Sequence, residues 1–321
     1  MNIWIVGGGS LGLLFAARSA AAEAAKVRLV CRRREQAERI AGTGIEYAAE
    51  GEEFRTPLMA AAWDDVFPDE KGHNVWDASA CDWIWLTVKQ HQLNDEMLRR
   101  LASQLGSRTK LLCFQNGVGH IERLSQVFPP NRIFLAITTE GANRQRDDRV
   151  AHTGSGVTRI GPWSNEEAGD AEGGMAQKTL LHVLMQAGFH AEVSKHMKSV
   201  VWNKLLINVA INPLTAILRV PNGQLVESPD TLGLMKLLLA EGVSVANALG
   251  IPVAENLWDQ LLDVCRRTSE NESSMLQDVK AGRRTEIDQL SGAIVEYADR
   301  LGIDARSHRV ICSLIKAIER G

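Results

Sequence analysis

Residues 2–26 read NIWIVGGGSLGLLFAARSAAAEAAK, and the order of residue types in this stretch decides what the N-terminal part of the chain is. A short β-branched and aromatic run (2–6) is followed at once by glycines and then by an Ala-rich segment of strong helix formers. Strand, glycine turn and helix in that order begin a βαβ unit. The turn GGGSLG (7–12) fits G-x-G-x-x-G, with Gly7, Gly9 and Gly12 at the glycine places and Gly8, Ser10 and Leu11 completing the loop. The hexapeptide alone is a weak signal; its position between strand and helix gives it a mechanism. Gly7 permits the tight turn, Gly9 lets a pyrophosphate approach the backbone, and Gly12 allows the helix to pack closely. The free N–H groups of the helix start then meet the anion.

A dinucleotide loop of this kind is checked about 20 residues on, where an acidic residue would bind the adenosine ribose. The sequence offers CRRRE (31–35) instead. Arg32, Arg33 and Arg34 suit the extra phosphate of NADP, which a carboxylate would repel, so NADPH/NADP is expected rather than NAD. The sequence leaves open which arginine touches the phosphate, or whether the run only solvates a loop.

Outward from this unit, short apolar runs alternate with helical stretches. Strands are expected at 2–6, 27–31, 83–88, 110–114 and 133–138, several apolar on both faces as buried parallel strands must be. VAHTGSGVTRIGP (150–162) suggests one more hairpin-like pair, PDEKGHN (68–74) a surface excursion, and NEEAGDAEGG (165–174) an exposed loop. Beyond residue 195 only helical patterns remain, at 197–211, 213–220, 230–249, 255–280, 284–301 and 307–319. The expected fold is α/β: an N-terminal Rossmann-type doubly wound sheet (1–195) that binds NADP, followed by an all-helical C-terminal substrate and catalytic domain (196–321).

The first of those helices contains VVWNKLLINVAINPLT (200–215). Lys204, Asn208 and Asn212 recur at i, i+4 and i+8, forming one narrow polar seam on a helix otherwise apolar nearly all round. Two readings stand. Lys204 snorkels to the surface while the asparagines satisfy backbone groups, or the seam faces a polar ligand. Asn212, before Pro213, also has the form of an N-cap opening a new helix. Polar residues at strand ends are further candidates, because ligands of open α/β sheets sit there. Lys89 follows WIWLTV and Asn116 follows LLCFQ, against the plain alternatives of an exposed lysine and an Asn-Gly turn. Asn222 in PNGQL, the cluster Asn271, Ser273 and Ser274, and Glu286 in RRTEID complete the set.

Composition bounds the partners. With 45% hydrophobic residues and a formal charge of −3, the chain offers no field for nucleic acid or an acidic membrane. Cys31, Cys81, Cys113, Cys265 and Cys312 are scattered without a CxxC pair, so neither a disulfide framework nor a metal site is expected. No basic leader and no run of roughly 18 apolar residues is present. A cytoplasmic protein acting on a small molecule is expected, as a monomer or homodimer.

The chain resembles the ketopantoate reductase (2-dehydropantoate 2-reductase) family along essentially its whole length. The resemblance is carried by GGGSLG, LTVKQHQ, FQNGVG, WNKLLINVAINPLTAI, PNGQL and SSMLQDVKAGRRTEID. It implies reduction of ketopantoate to D-pantoate with NADPH, on the route to pantothenate and coenzyme A. It makes Lys204 the catalytic proton donor, with Glu286 beside it where substrate and nicotinamide meet. It makes Asn208, Asn212, Asn222, Asn271, Ser273 and Ser274 substrate-binding. It assigns Gly7 to Gly12, Arg32, Lys89, Asn116 and Ala142 to the cofactor. The sequence departs from a compact family member by added residues around 66–82 and 165–174 and by the charged Glu272 in the substrate-holding segment. A reductase of a related 2-keto acid and a non-catalytic NADP-binding regulator are the alternatives. The regulator would have no need of Lys204, the asparagine seam and Glu286 together.

Overall fold

The computed structural model describes residues 1–69, 72, 74–163 and 171–320. Residues 70, 71 and 73 of PDEKGHN and 165–170 of the Gly-rich stretch lie outside the described residues. The chain divides into two units, one of residues 1–115 and 120–197, the other of residues 116–119 and 198–321.

The first unit holds all the strands found among the described residues: β1 (Asn2–Val6), β2 (Lys26–Cys31), β3 (Ile45–Ala49), β4 (Glu52–Thr56), β5 (Met59–Ala62), β6 (Trp83–Leu86), β7 (Lys110–Cys113), β8 (Ile133–Thr138), β9 (Gly141–Arg146), β10 (Arg149–Gly154), β11 (Val157–Pro162) and β12 (His190–Val193). Eight of them form one sheet in the order β12-β11-β8-β7-β6-β1-β2-β5. Pairing is parallel from β8 through β5, while β11 joins β8 antiparallel. Helix Ser10–Ala21 follows β1, as expected from the glycine turn. Its Phe15 meets Trp85, Phe114 and Phe189 at ring-centroid distances of 5.9, 4.7 and 4.5 Å. Burying each such side chain contributes about 1.5–3 kcal/mol. That cluster fixes the helix, and with it the glycine loop, to the sheet.

The five expected strands all form, although β6 ends at Leu86 and not at residue 88. The expected hairpin at 150–162 does not exist. Its two halves enter different sheets: β11 pairs with β8 and β12, while β10 pairs with β9 and β3 in a second sheet of order β4-β3-β10-β9. β10 turns back instead on the strand just before it, β9, and β11 takes the more distant partners β8 and β12. Residues 171–174, expected as loop, open helix Ala171–Gln186.

The second unit is helical among its described residues. Helix Met197–Leu218 runs unbroken through Pro213, so Asn212 does not cap a new helix. A proline removes one N–H and crowds the preceding turn, but here Pro213 is buried among apolar neighbours whose packing offsets the cost. This helix alone among the described residues has the length and hydropathy to cross a membrane, and most of it is buried. Helix Pro229–Ala248 matches its expected span within a residue. The stretch 255–280 splits into Leu257–Arg267 and Ser274–Lys280, and 284–301 into a 3-10 turn (Ile287–Gln289) and Ser291–Leu301. Helix Arg306–Ile318 closes the chain. All five cysteines are buried and unpaired by disulfides.

Candidate functional site

The glycine loop of the first unit has the shape an anion requires. Gly7 adopts φ +125°, and a Cβ there would lie 2.8 Å from Thr87 Oγ1. A Cβ on Gly12 would lie 1.8 Å from the Gly7 carbonyl oxygen, so only glycine lets the helix start this close to the turn. A Cβ on Gly9 would meet nothing within 4 Å, which leaves the face of the loop open. The helix that begins at Ser10 has no side-chain cap and no acidic residue in its first turn. Its orphan N–H groups and positive dipole end are therefore available to a phosphate.

At the end of β2 the three arginines separate. Arg33 pairs with Asp147 and Arg34 with Asp65. Arg32 is exposed and, among the described residues, forms neither ion pair nor hydrogen bond. These features fit NADP: an open glycine loop, an uncapped helix start and a guanidinium in hand. Lys89 is half-buried just beyond β6 and opens the 3-10 turn Gln90–Gln92, its backbone N–H donating to Gln92 Oε1 at 3.2 Å. Ala142 is the second residue of β9, half-buried, in register with His152.

The remaining candidates fall in the second unit. Asn116, read with the cofactor set, belongs to the short segment 116–119 that groups with the helices. Its Nδ2 lies 3.4 Å from Glu286 Oε2. Gly117 has φ +80° and rests on the Gln289 carbonyl, where a Cβ would approach to 2.2 Å. Glu286 is 8% exposed. Lys204 is half-buried on the long helix, and burial pushes its pKa down to about 8, with the Glu286 carboxylate pulling the other way. Sequence alone left that balance open; burial wins.

Asn208 is half-buried and Asn212 buried, and the side chain of neither has a hydrogen-bond partner among the described residues. Both amides are thus available to a ligand. Asn222 opens the 3-10 turn Asn222–Val226, its N–H donating to Asn271 O (3.0 Å) and its Nδ2 to Thr268 Oγ1 (2.8 Å). The Asn222 Oδ1 is buried and has no hydrogen-bond partner among the described residues. Ser273 caps helix Ser274–Lys280 by accepting the Leu276 N–H at 3.1 Å, and its hydroxyl lies 2.7 Å from Thr215 Oγ1. Ser274 and Asn271 are exposed. The charge on Glu272 is answered by Lys280, so the substrate-holding segment gains no unpaired carboxylate.

Several contributors escaped the sequence reading. Thr87 Oγ1 lies 3.1 Å from Val6 O and 3.0 Å from Gly7 O, bracing the turn. The buried Gln36 amide donates to the Gly8 carbonyl at 2.9 Å. Thr215, three residues beyond Asn212 on the same seam, ties the lysine helix to Ser273. An i+3 step from Asn212, on the same helix face, would have found Thr215, whereas the i+4 step meets Ala216. Nothing in the pattern of Gln36 marks it.

Residues 3–165 match the family model described as Ketopantoate reductase PanE/ApbA, and residues 196–319 match the one described as its C terminal. The 2-dehydropantoate 2-reductase of Bacillus subtilis (strain 168) is 36% identical over 326 residues, covering 100% of this chain and 98% of that protein. The crystal structure of a PanE/ApbA family ketopantoate reductase from Ralstonia eutropha JMP134 is similar with a TM-score of 0.86 at 25% identity, covering 100% and 99% of the two chains. D-mandelate dehydrogenase, solved with NADH and anilino(oxo)acetate, shares the fold with a TM-score of 0.85 at 24% identity, covering 100% of this chain and 99% of that one.

Proposed function

This chain belongs to the ketopantoate reductase family, and on that premise we propose that it reduces ketopantoate to D-pantoate with NADPH, Lys204 acting as proton donor. The observation that carries the reading is Lys204 itself: a half-buried lysine whose pKa burial lowers to about 8, beside Glu286, on a helix whose Asn208 and Asn212 amides have no hydrogen-bond partner among the described residues. Bound NADPH supplies the hydride. Reduction of a ketone places negative charge on its oxygen, and Lys204 would meet that charge with a cation and a proton. An ordinary lysine near 10.4 is a sluggish acid; one near 8 delivers its proton far more readily around neutral pH. Asn208, Asn212 and the Asn222 carbonyl oxygen orient the substrate's hydroxyl and carboxylate without adding charges that must be desolvated. Glu286 sets the charge balance at Lys204 and is held by Asn116. The phosphates of the cofactor are met by the glycine loop and Arg32. The direct assay follows NADPH absorbance with purified protein and ketopantoate, then with pyruvate-like and acetolactate-like keto acids. Turnover on the latter with none on ketopantoate would reassign the substrate to a related 2-keto acid.

The pH dependence has a definite sign. The protonated lysine is the acid, so kcat/KM for reduction is level below a pH of about 8 and falls about tenfold per unit above it. Alcohol oxidation has the opposite profile. Because Glu286 raises the Lys204 pKa, Glu286→Gln should move the inflection to lower pH. An inflection that stays in place would separate the two groups.

Arg32→Glu should weaken NADPH by about 10²-fold while NADH changes only a few-fold, since a charge-assisted phosphate contact becomes a repulsion. Titration of both nucleotides checks it. An unchanged preference would mean that Arg32 does not read the phosphate.

A further inference from the structure

The second sheet brings another cation to the glycine loop. Arg144, on β9, donates its backbone N–H to Ser10 Oγ at 3.0 Å and a guanidinium N–H to the Gly8 carbonyl at 3.2 Å. It is thus fastened to the loop by main chain and side chain together. The same Nη1 lies 3.8 Å from Asp147 Oδ1, the carboxylate that pairs with Arg33. Cys31, the last residue of β2, senses this group. Burial pushes its thiol up to about 12; Asp147 adds to the rise, and Arg33 and Arg144 oppose it. Arg144 therefore links the glycine loop to Asp147, the carboxylate it shares with Arg33, the residue that follows Arg32 in the chain. The buried Gln36 amide secures the arrangement by donating to both Gly8 O (2.9 Å) and Asp147 O (3.0 Å). The Arg144 side chain is 39% exposed, so its remaining N–H donors are within reach of a ligand.

We propose that Arg144 is a second reader of the 2′-phosphate of NADPH, acting with Arg32 and held in place by the Gly8 carbonyl. Three guanidiniums, those of Arg32, Arg33 and Arg144, set against the single carboxylate of Asp147 leave a net charge of about +2. That complements a phosphate monoester of about −1.5 to −2 at neutral pH. The Gly8 carbonyl fixes the guanidinium before the ligand arrives, so little side-chain entropy is lost on binding.

The assignment rests on the NADPH reading above, and the test keeps the two apart. Dissociation constants for NADPH, NADH, adenosine 2′,5′-bisphosphate and AMP are measured by calorimetry on the parent protein and on Arg144→Ala. The expected result is a loss of about 10-fold to 100-fold for the two 2′-phosphorylated ligands, with NADH and AMP within about threefold. The substitution keeps the backbone bond to Ser10, and far-UV circular dichroism with thermal melting checks the fold. Equal weakening of all four ligands would mean that Arg144 only shapes the loop through Gly8, and would overturn the assignment. An NADPH-preferring parent with an unchanged variant would overturn it too. A parent with no preference for NADPH over NADH would overturn the NADPH reading and this assignment together.

Discussion

Lys204→Ala is expected to lower turnover of the keto acid by about 10²- to 10⁴-fold while NADPH affinity stays within about twofold. The size follows from what the side chain supplies. It is a cation where the oxyanion would develop and a proton donor whose pKa, lowered by burial to about 8, lies closer to neutrality than an ordinary lysine's. Alanine removes both and leaves Glu286 without its positive neighbour, so the site becomes net negative as the substrate carboxylate enters. KM should therefore rise as kcat falls. The most telling readout is the pH profile. The fall above about pH 8 should vanish in the variant, because the titrating group has gone. Near-normal turnover, or a residual rate that keeps the inflection, would end the proton-donor assignment.

The glycine loop gives the second large effect, with opposite signatures at two positions. Gly12→Ala places a Cβ 1.8 Å from the Gly7 carbonyl oxygen, a distance no rotamer relieves because both atoms belong to the backbone frame. The helix Ser10–Ala21 must then move off β1, and with it Phe15 from its aromatic partners. A loss of roughly 3 kcal/mol or more is expected, seen as a melting temperature lowered by several degrees. Gly9→Ala is different. Its φ of −83° suits alanine and its Cβ would meet nothing within 4 Å, so stability should hold. The added methyl instead stands on the open face of the loop where the pyrophosphate must approach, and NADPH should weaken by about tenfold or more, about 1.4 kcal/mol. Thermal melts and nucleotide titrations on the two variants test this contrast. If Gly9→Ala bound NADPH normally, the phosphate would not sit on this loop.

The sequence by itself determined the features that rest on short-range pattern. The central strands β1, β2, β6, β7 and β8 are legible because a strand buried on both faces needs a continuous apolar run. The glycine loop is legible because a tight turn joining strand to helix needs glycine at fixed spacing, and the seam of Lys204, Asn208 and Asn212 because helix periodicity is local.

The second sheet was not legible. GANRQR and EEFRT are short, polar and half in solvent, and only their partners make them strands. VAHTGSGVTRIGP carries a hairpin's turn chemistry, yet its first half pairs with the preceding β9 and the distant β3, and its second half with β8 and β12. Pro213 signals a break that burial overrides.

At the site, residue identities came from the sequence, whereas their states came from the fold. Which arginine is unengaged depends on Asp147 and Asp65, residues 114 and 31 positions from their partners. The proton affinity of Lys204 depends on how deeply one helix is covered and on a carboxylate that sits 82 residues later in the chain. Charge and desolvation act through space, so no pattern along the chain encodes them. They exist only once distant segments have been brought together.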